Sequence, residues 1–176
     1  FKNIKLFSND IKCEDDINIV RSYGELDYIE INDASYDAID FDFSNIKINN
    51  IKIADSGNDC IDLSFGTYLI SEANLNNCKD KAISVGEKSV FFGENINAYD
   101  SEIGLANKDG SKSYIKKIST KKVKKCIDNY QKKNEFELGS VFIVKNECNL
   151  NKIKNLNFIL KNDFFLKFKD YEKTRI

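Results

Sequence analysis

Apolar positions recur along this chain at a spacing of 22 residues. Ile17, Ile39, Ile61, Ile83, Leu105 and Ile127 form one column, and Leu26, Ile48, Ile70, Phe92, Tyr114 and Phe136 form a second. Self-similarity at a fixed period of this length marks a chain that stacks one unit on the next. Within each unit the pattern alternates. Ile39 and Phe41, Ile61 and Leu63, Ile83 and Val85 share one face, while Asp40, Asp62 and Ser84 share the other, which is the period of a half-buried strand. In NIKINNIKI (45–53) the alternation is offset at Asn49 and Asn50, which reads as a corner.

A leucine-rich repeat of similar length would carry helical outer segments and an L-x-x-L-x-L pattern, and neither occurs between residues 33 and 112. The pattern therefore predicts an all-β chain: a right-handed, single-stranded parallel β-helix of about six to seven coils of roughly 22 residues. Residues 1–148 form the repeat domain. Residues 149–176 lose the phase, are rich in large apolar side chains, and are expected to cap the open end of the same domain. Ala38, Cys60, Ala82, Gly104 and Cys126 share an inward phase where the coil bends tightly. The basic stretch 116–133 could be drawn as an amphipathic helix, but Ile127 and Phe136 keep the column phase, so it is read as a further coil. Proline, which deletes a ladder donor, is absent.

With 176 residues and 41% hydrophobic content, the chain can bury one core of its own. No run of eighteen apolar residues occurs, so no membrane span is expected. The chain starts at Phe1 rather than methionine, as a mature form or an excised fragment would. Its charge is polarised: residues 1–100 hold 9 basic and 19 acidic side chains, residues 101–176 hold 18 and 9. A lysine-rich half could touch an acidic polymer, but the arginine forks and interleaved aromatics of nucleic-acid readers are missing, so nucleic acid is not an expected partner. Five cysteines lack C-x-x-C spacing, which points to neither a zinc site nor a full disulfide framework. Cys60 and Cys126 read as packing residues, and Cys126 and Cys148, one coil apart, are also placed to pair in an oxidising compartment.

Histidine is absent, which removes Ser-His-Asp and Cys-His nucleophile systems and leaves acid and base work to carboxylates or lysine. Three polar groupings qualify. In YDAIDFDFS (36–44) and GNDCIDLS (57–64), Asp37 stacks on Asp59 and Asp40 on Asp62, with Asp42 beside Asp40 on the outward face. Like charges at one strand spacing repel, so solvent, Lys81 or a calcium ion held by Asp37, Asp40, Asp59 and Asp62 must offset them. Alternatively, the carboxylates accept backbone N–H groups at corners. In KDKAISVGEKS (79–89) and NKDGS (107–111), Glu87 falls beside Asp109, a pair that could serve as acid and base in glycoside hydrolysis. YQKKNEF (130–136) extends the strip with Tyr130, Gln131 and Lys133. The ligand-binding set is then Asp40, Asp42, Asp62, Asp80, Lys81, Ser84, Lys108, Tyr130 and Lys133.

The succession YDAIDFDFS, GNDCIDLS, KDKAISVGEKS, IGLANKDGS and YQKKNEF resembles the β-helix region found in bacterial proteins beside CotH-type, spore-coat-kinase-like domains. The resemblance covers about residues 33–147, and its most specific piece is DKAISVGE. It implies a non-catalytic domain, because kinase activity would belong to the neighbouring domain, and no glycine-rich phosphate loop or H-R-D segment occurs here. Pectate lyases, polygalacturonases and alginate epimerases are broader kin. GNDCI is similar to the G-D-D-C piece of polygalacturonases, with Asn58 in place of an aspartate. The expected function is thus a β-helix domain of a larger surface or exported bacterial protein, outside the cytoplasm, whose polar strip binds polysaccharide or a protein partner, such as a neighbouring domain of the same polypeptide, without a cofactor. The competing expectations are a carbohydrate-active enzyme using acidic residues, with or without calcium, and a pure scaffold.

Overall fold

A computed structural model describes residues 1–8, 12–150 and 153–173. The elements in chain order are β1 (Asn3–Phe7), β2 (Asp15–Val20), β3 (Tyr23–Ala34), β4 (Asp37–Asp42), β5 (Asn45–Ser56), β6 (Ile61–Ser64), β7 (Thr67–Cys78), β8 (Lys81–Gly86), β9 (Val90–Lys108), β10 (Lys112–Tyr130), β11 (Ser140–Glu147), β12 (Leu156–Phe158) and α1 (Lys161–Lys173). The strand pairings are parallel and join each coil to the next, giving a β-solenoid of about six turns. One side stacks β2, β4, β6, β8 and the second halves of β9 and β10. The rest of the circuit stacks β1, β3, β5, β7, the first halves of β9 and β10, then β11 and β12.

The first apolar column is realised rung by rung: Ile17, Ile39, Ile61, Ile83, Leu105 and Ile127 are direct register partners. From Ile39 to Leu105 its members are fully buried. The predicted corner also exists. In β3, β5 and β7 the ladder skips residues 27, 49 and 71, and the inward set of β5 changes from Ile46 and Ile48 to Ile51 and Ile53.

The other corners are made by left-handed backbone. Arg21, Phe43, Phe65, Glu87 and Asp109 have φ near 50° at one corner, and Asp33, Asp55, Asn77, Asp100 and Lys122 repeat the conformation at another. Asp and Asn tolerate this region because their short polar groups bond locally. Asn77 Nδ2, for example, donates to Asp55 Oδ1 at 2.7 Å. The tight inward column explains Gly104, where an added Cβ would lie 2.6 Å from the Cys126 carbonyl oxygen.

The second apolar column holds only for Leu26, Ile48 and Ile70. Ser64 and Gly86 are partners, yet Thr67 pairs with Val90, so the turn through Glu87 and Lys88 carries one extra residue. Ile70 therefore faces Gly93 and Leu69 faces Phe92. Because strand side chains alternate, a one-residue slip moves an entire set to the opposite face. Phe92, Tyr114 and Phe142 accordingly stack on the outside, at 5.0 and 4.8 Å between centroids. Phe136 leaves the column altogether, since Tyr114 pairs with Phe142 across a 28-residue turn lengthened by the loop before β11.

This outer aromatic stack is what the C-terminal helix covers. Phe164 and Phe168 of α1 meet Phe92 edge-on at 6.2 and 5.7 Å. The core's open end is met instead by Leu150, Ile153 and Leu156. Within 149–176, residues 151–152 and 174–176 lie outside the described residues.

Cys60 is not a plain packing residue: it pairs with Cys78, with Cα atoms 5.4 Å apart, because Cys78 ends a strand directly above the corner that Cys60 leaves. Cys126 pairs with Cys148 at a Cα distance of 6.0 Å. Cys13 is free and exposed. Closing an 18-residue segment, the Cys60–Cys78 bridge stabilises by about 3 kcal/mol through the unfolded chain. Replacing Cys60 and Cys78 with serine should lower unfolding free energy by about that amount in denaturant titrations. Ile61→Ala, which empties the middle of the continuous column, should cost about 2–5 kcal/mol in the same assay.

Candidate functional site: a polar strip on one side of the solenoid

Two outward columns run side by side across β2, β4, β6, β8, β9 and β10. The first is Asn18, Asp40, Asp62, Ser84, Ala106 and Asp128. The second is Val20, Asp42, Ser64 and Gly86, followed by Lys108 and Tyr130. Strand alternation points these residues away from the core, and coil stacking repeats them at roughly 4.8 Å.

The strip changes character along its length. At the end formed by the earlier coils, carboxylates crowd together. Burial first, and then the charges of Asp42, Asp62, Asp15 and Asp37, push Asp40 up to about 7. Burial and the charges of Asp62, Glu87 and Asp15 also raise Asp42. At the other end lysines compensate. Lys108 is almost enclosed, with 6% of its side chain exposed, and its Nζ lies 3.8 Å from Asp62 Oδ1, two coils away. It passes over Gly86, where a Cβ would sit 3.4 Å from Lys108 Cε, in ordinary van der Waals contact.

Glu87 accepts from Ser64 Oγ at 2.6 Å and pairs with Lys133 Nζ at 2.5 Å. Burial pushes its carboxyl up, but these two partners and the charge of Lys108 outweigh that and hold it below the usual carboxylate range. Asp109 is fully buried, and its Oδ1 accepts the backbone N–H groups of Lys132 and Lys133 at 2.6 and 2.8 Å. Its Oδ2 has no hydrogen-bond partner, nor have Ser84 Oγ and Ser111 Oγ. Glu87 and Asp109 thus stand at one corner, each tied to the loop after β10.

The remaining acidic positions work between coils. Asp37 Oδ1 accepts the backbone N–H of Asp59 at 2.7 Å and the Asn58 side chain at 2.7 Å, and Asp59 Oδ1 accepts the backbone N–H of Lys81 at 3.0 Å. These are the corner hydrogen bonds that the sequence offered as an alternative to calcium ligation. Among the described residues, no group of three or more Asp, Glu or Cys is arranged to hold a metal ion. Asp80 contacts the Lys81 ammonium beside them.

The strip thus brings together Asp40, Asp42, Asp62, Ser84, Lys108 and Tyr130, with Lys81, Asp80, Glu87 and Lys133 along its edges. Sequence reasoning missed its aromatic border. Phe43 and Phe65, both left-handed, stack face to face at 4.6 Å and 1°. Phe136 meets Phe65 edge-on at 6.1 Å, the Arg21 guanidinium covers Phe43 at 5.5 Å and Lys88 covers Phe136 at 5.8 Å. The signal was present: Phe43 and Phe65 are one period apart and directly follow Asp42 and Ser64. Beyond the end of this aromatic border lies a cleft of about 500 Å³ lined by Lys88, Val90, Gly110, Lys112, Glu135, Phe136 and Glu137.

Compared with protein-family models, curated proteins and solved structures, the chain matches none.

The crowded carboxylates set a pH dependence. Asp40 binds its proton more tightly folded than unfolded, so its contribution to stability is full below about 4 and is lost as pH rises toward about 7. Asp40→Asn should raise the melting temperature at pH 8 and leave it nearly unchanged at pH 4. A loss of stability at pH 8 would contradict the crowding.

Proposed function

We propose that this β-solenoid is a non-catalytic binding domain of a larger exported or surface protein, of the kind that resembles the β-helix regions beside CotH-type domains in bacteria. Its polar strip takes a polysaccharide. The observation that carries this reading is the strip's construction. Asp40, Asp42, Asp62, Ser64, Lys108 and Tyr130 stand on strands rather than loops, are stacked at the coil spacing, and are held by neighbours such as Asp62 for Lys108. A linear polymer with hydroxyl groups at regular intervals is the ligand such an array matches, and fixed side chains lose little freedom on binding it. Two disulfides support a compartment outside the cytoplasm. No helix is long and apolar enough to cross a membrane among the described residues.

A second reading, a carbohydrate-active enzyme, is favoured by Asp40, which burial and its neighbours hold partly protonated near neutrality beside other carboxylates, the condition for an acid and a base to coexist. Calcium, taken up at the acidic end, would belong to that reading and would raise the melting temperature on titration.

A glycan array followed by calorimetry, run beside a reducing-sugar and unsaturated-product assay, separates the two. Binding without turnover is expected, weakened by about tenfold or more in Lys108→Met or Asp62→Asn, since each removes a charged group of the strip and frees its partner to move. Turnover abolished by Asp40→Asn, or by Glu87→Gln or Asp109→Asn, would replace the binding reading with the enzymatic one.

A further inference from the structure

Lys81 stands where the strip turns from acidic to basic, and its surroundings differ from those of a surface ion pair. Its Nζ lies 3.2 and 3.4 Å from the two carboxylate oxygens of Asp59, so the amine faces the carboxyl group rather than one corner of it. Both side chains are withdrawn from water, at 13% and 4% exposure. The same Asp59 Oδ1 already accepts the Lys81 backbone N–H at 3.0 Å. A second carboxylate, Asp80, is in hydrogen-bond contact with the Lys81 amine. Tyr130 is close enough for the charges of Lys81, Asp80 and Asp59 to act on it.

An amine, a carboxyl carbon, a backbone donor on the carboxyl oxygen and an adjacent proton carrier are the parts that amide formation needs. We propose that Lys81 and Asp59 condense into an intramolecular amide that bolts two adjacent coils together. Asp80 takes a proton from the Lys81 ammonium and passes it to Asp59 Oδ2, leaving a neutral amine beside a carboxylic acid, and the amine's lone pair then attacks Asp59 Cγ. The negative charge that develops on Oδ1 meets the Lys81 backbone N–H. A second proton moves from the attacking nitrogen to Oδ2, which leaves as water. One N–C bond forms and one C–O bond breaks, the opposite charges cancel, and no oxidant or reductant is required.

The starting pair is suited to this. Burial pushes Asp59 up to about 6 against the pull of Lys81, so its acid form is reachable near neutrality. Burial lowers Lys81, but Asp80 and Asp59 overcome that and keep it charged at rest. The reaction therefore runs slowly, through the minor neutral pair, after folding has set the geometry. Its product removes two shielded charges whose desolvation opposes the fold.

Intact-mass measurement of the full chain, folded, incubated, then reduced and alkylated, tests the proposal. The expected mass is one water below that of the reduced and alkylated sequence, with a branched proteolytic peptide joining the Asp59 and Lys81 segments. Lys81→Arg should keep the full sequence mass, Asp59→Asn should lose one ammonia instead of water, and Asp80→Ala should slow or stop the loss. A wild-type chain that stays at sequence mass after prolonged incubation, or whose missing water maps to other residues, overturns the proposal whether or not the variants fold.

Discussion

Every feature of this molecule rests on the parallel ladder that sets one coil on the next. An isolated coil exposes both edges of its strands and buries no side chain completely. Stacked, Ile39, Ile61, Ile83 and Leu105 lose all contact with water because each is covered by the residue one coil away. Stability is thus a sum of neighbour contacts rather than the property of a central knot. The same constraint turns sequence distance into spatial distance: positions 22 apart become neighbours, and polar residues inherit that proximity along with apolar ones. Ion pairs such as Lys52 with Glu30 and Lys116 with Glu94 follow directly.

The corners decide what the strip can be. A residue with positive φ closes each turn, and where that residue is phenylalanine the strain of about 1–2 kcal/mol is set against ring stacking between coils. Where it is Glu87 the side chain is drawn to Ser64 and Lys133 instead. Corners and strand side together carry acids, hydroxyls, lysines and aromatics in one band, which Lys108 crosses to reach Asp62.

The repeat, the strand periodicity and the bend at Asn49 were legible because each follows from local alternation plus one fixed period. The pairing of Asp40 with Asp62 followed for the same reason. Phe92 was misplaced because a one-residue excess in the turn at Glu87 leaves no mark in composition yet reverses the facing of the strand that follows, and Phe136 because the loop before β11 lengthens its turn to 28 residues. Cys60 was read as filler because its partner, Cys78, is 18 residues away rather than 22, a link around a coil instead of between coils. The reach of Lys108 over two coils lies beyond any nearest-neighbour rule. The left-handed corners could have been found, since Asp33, Asp55 and Asn77 keep the period as cleanly as the isoleucines do.

The slip at Glu87 is also repaid within the same circuit. Asn76 pairs with Tyr99, 23 residues on, but Lys81 pairs with Ile103, 22 on, so the next corner is one residue shorter. Each side of the solenoid therefore behaves like a separate page, whose lettering can be shifted without smudging the others. One page turned its rings outward and gained a helix; the page bearing the carboxylates kept its alignment. A lineage of such chains can rework one wall while leaving the opposite wall, and whatever it holds, untouched.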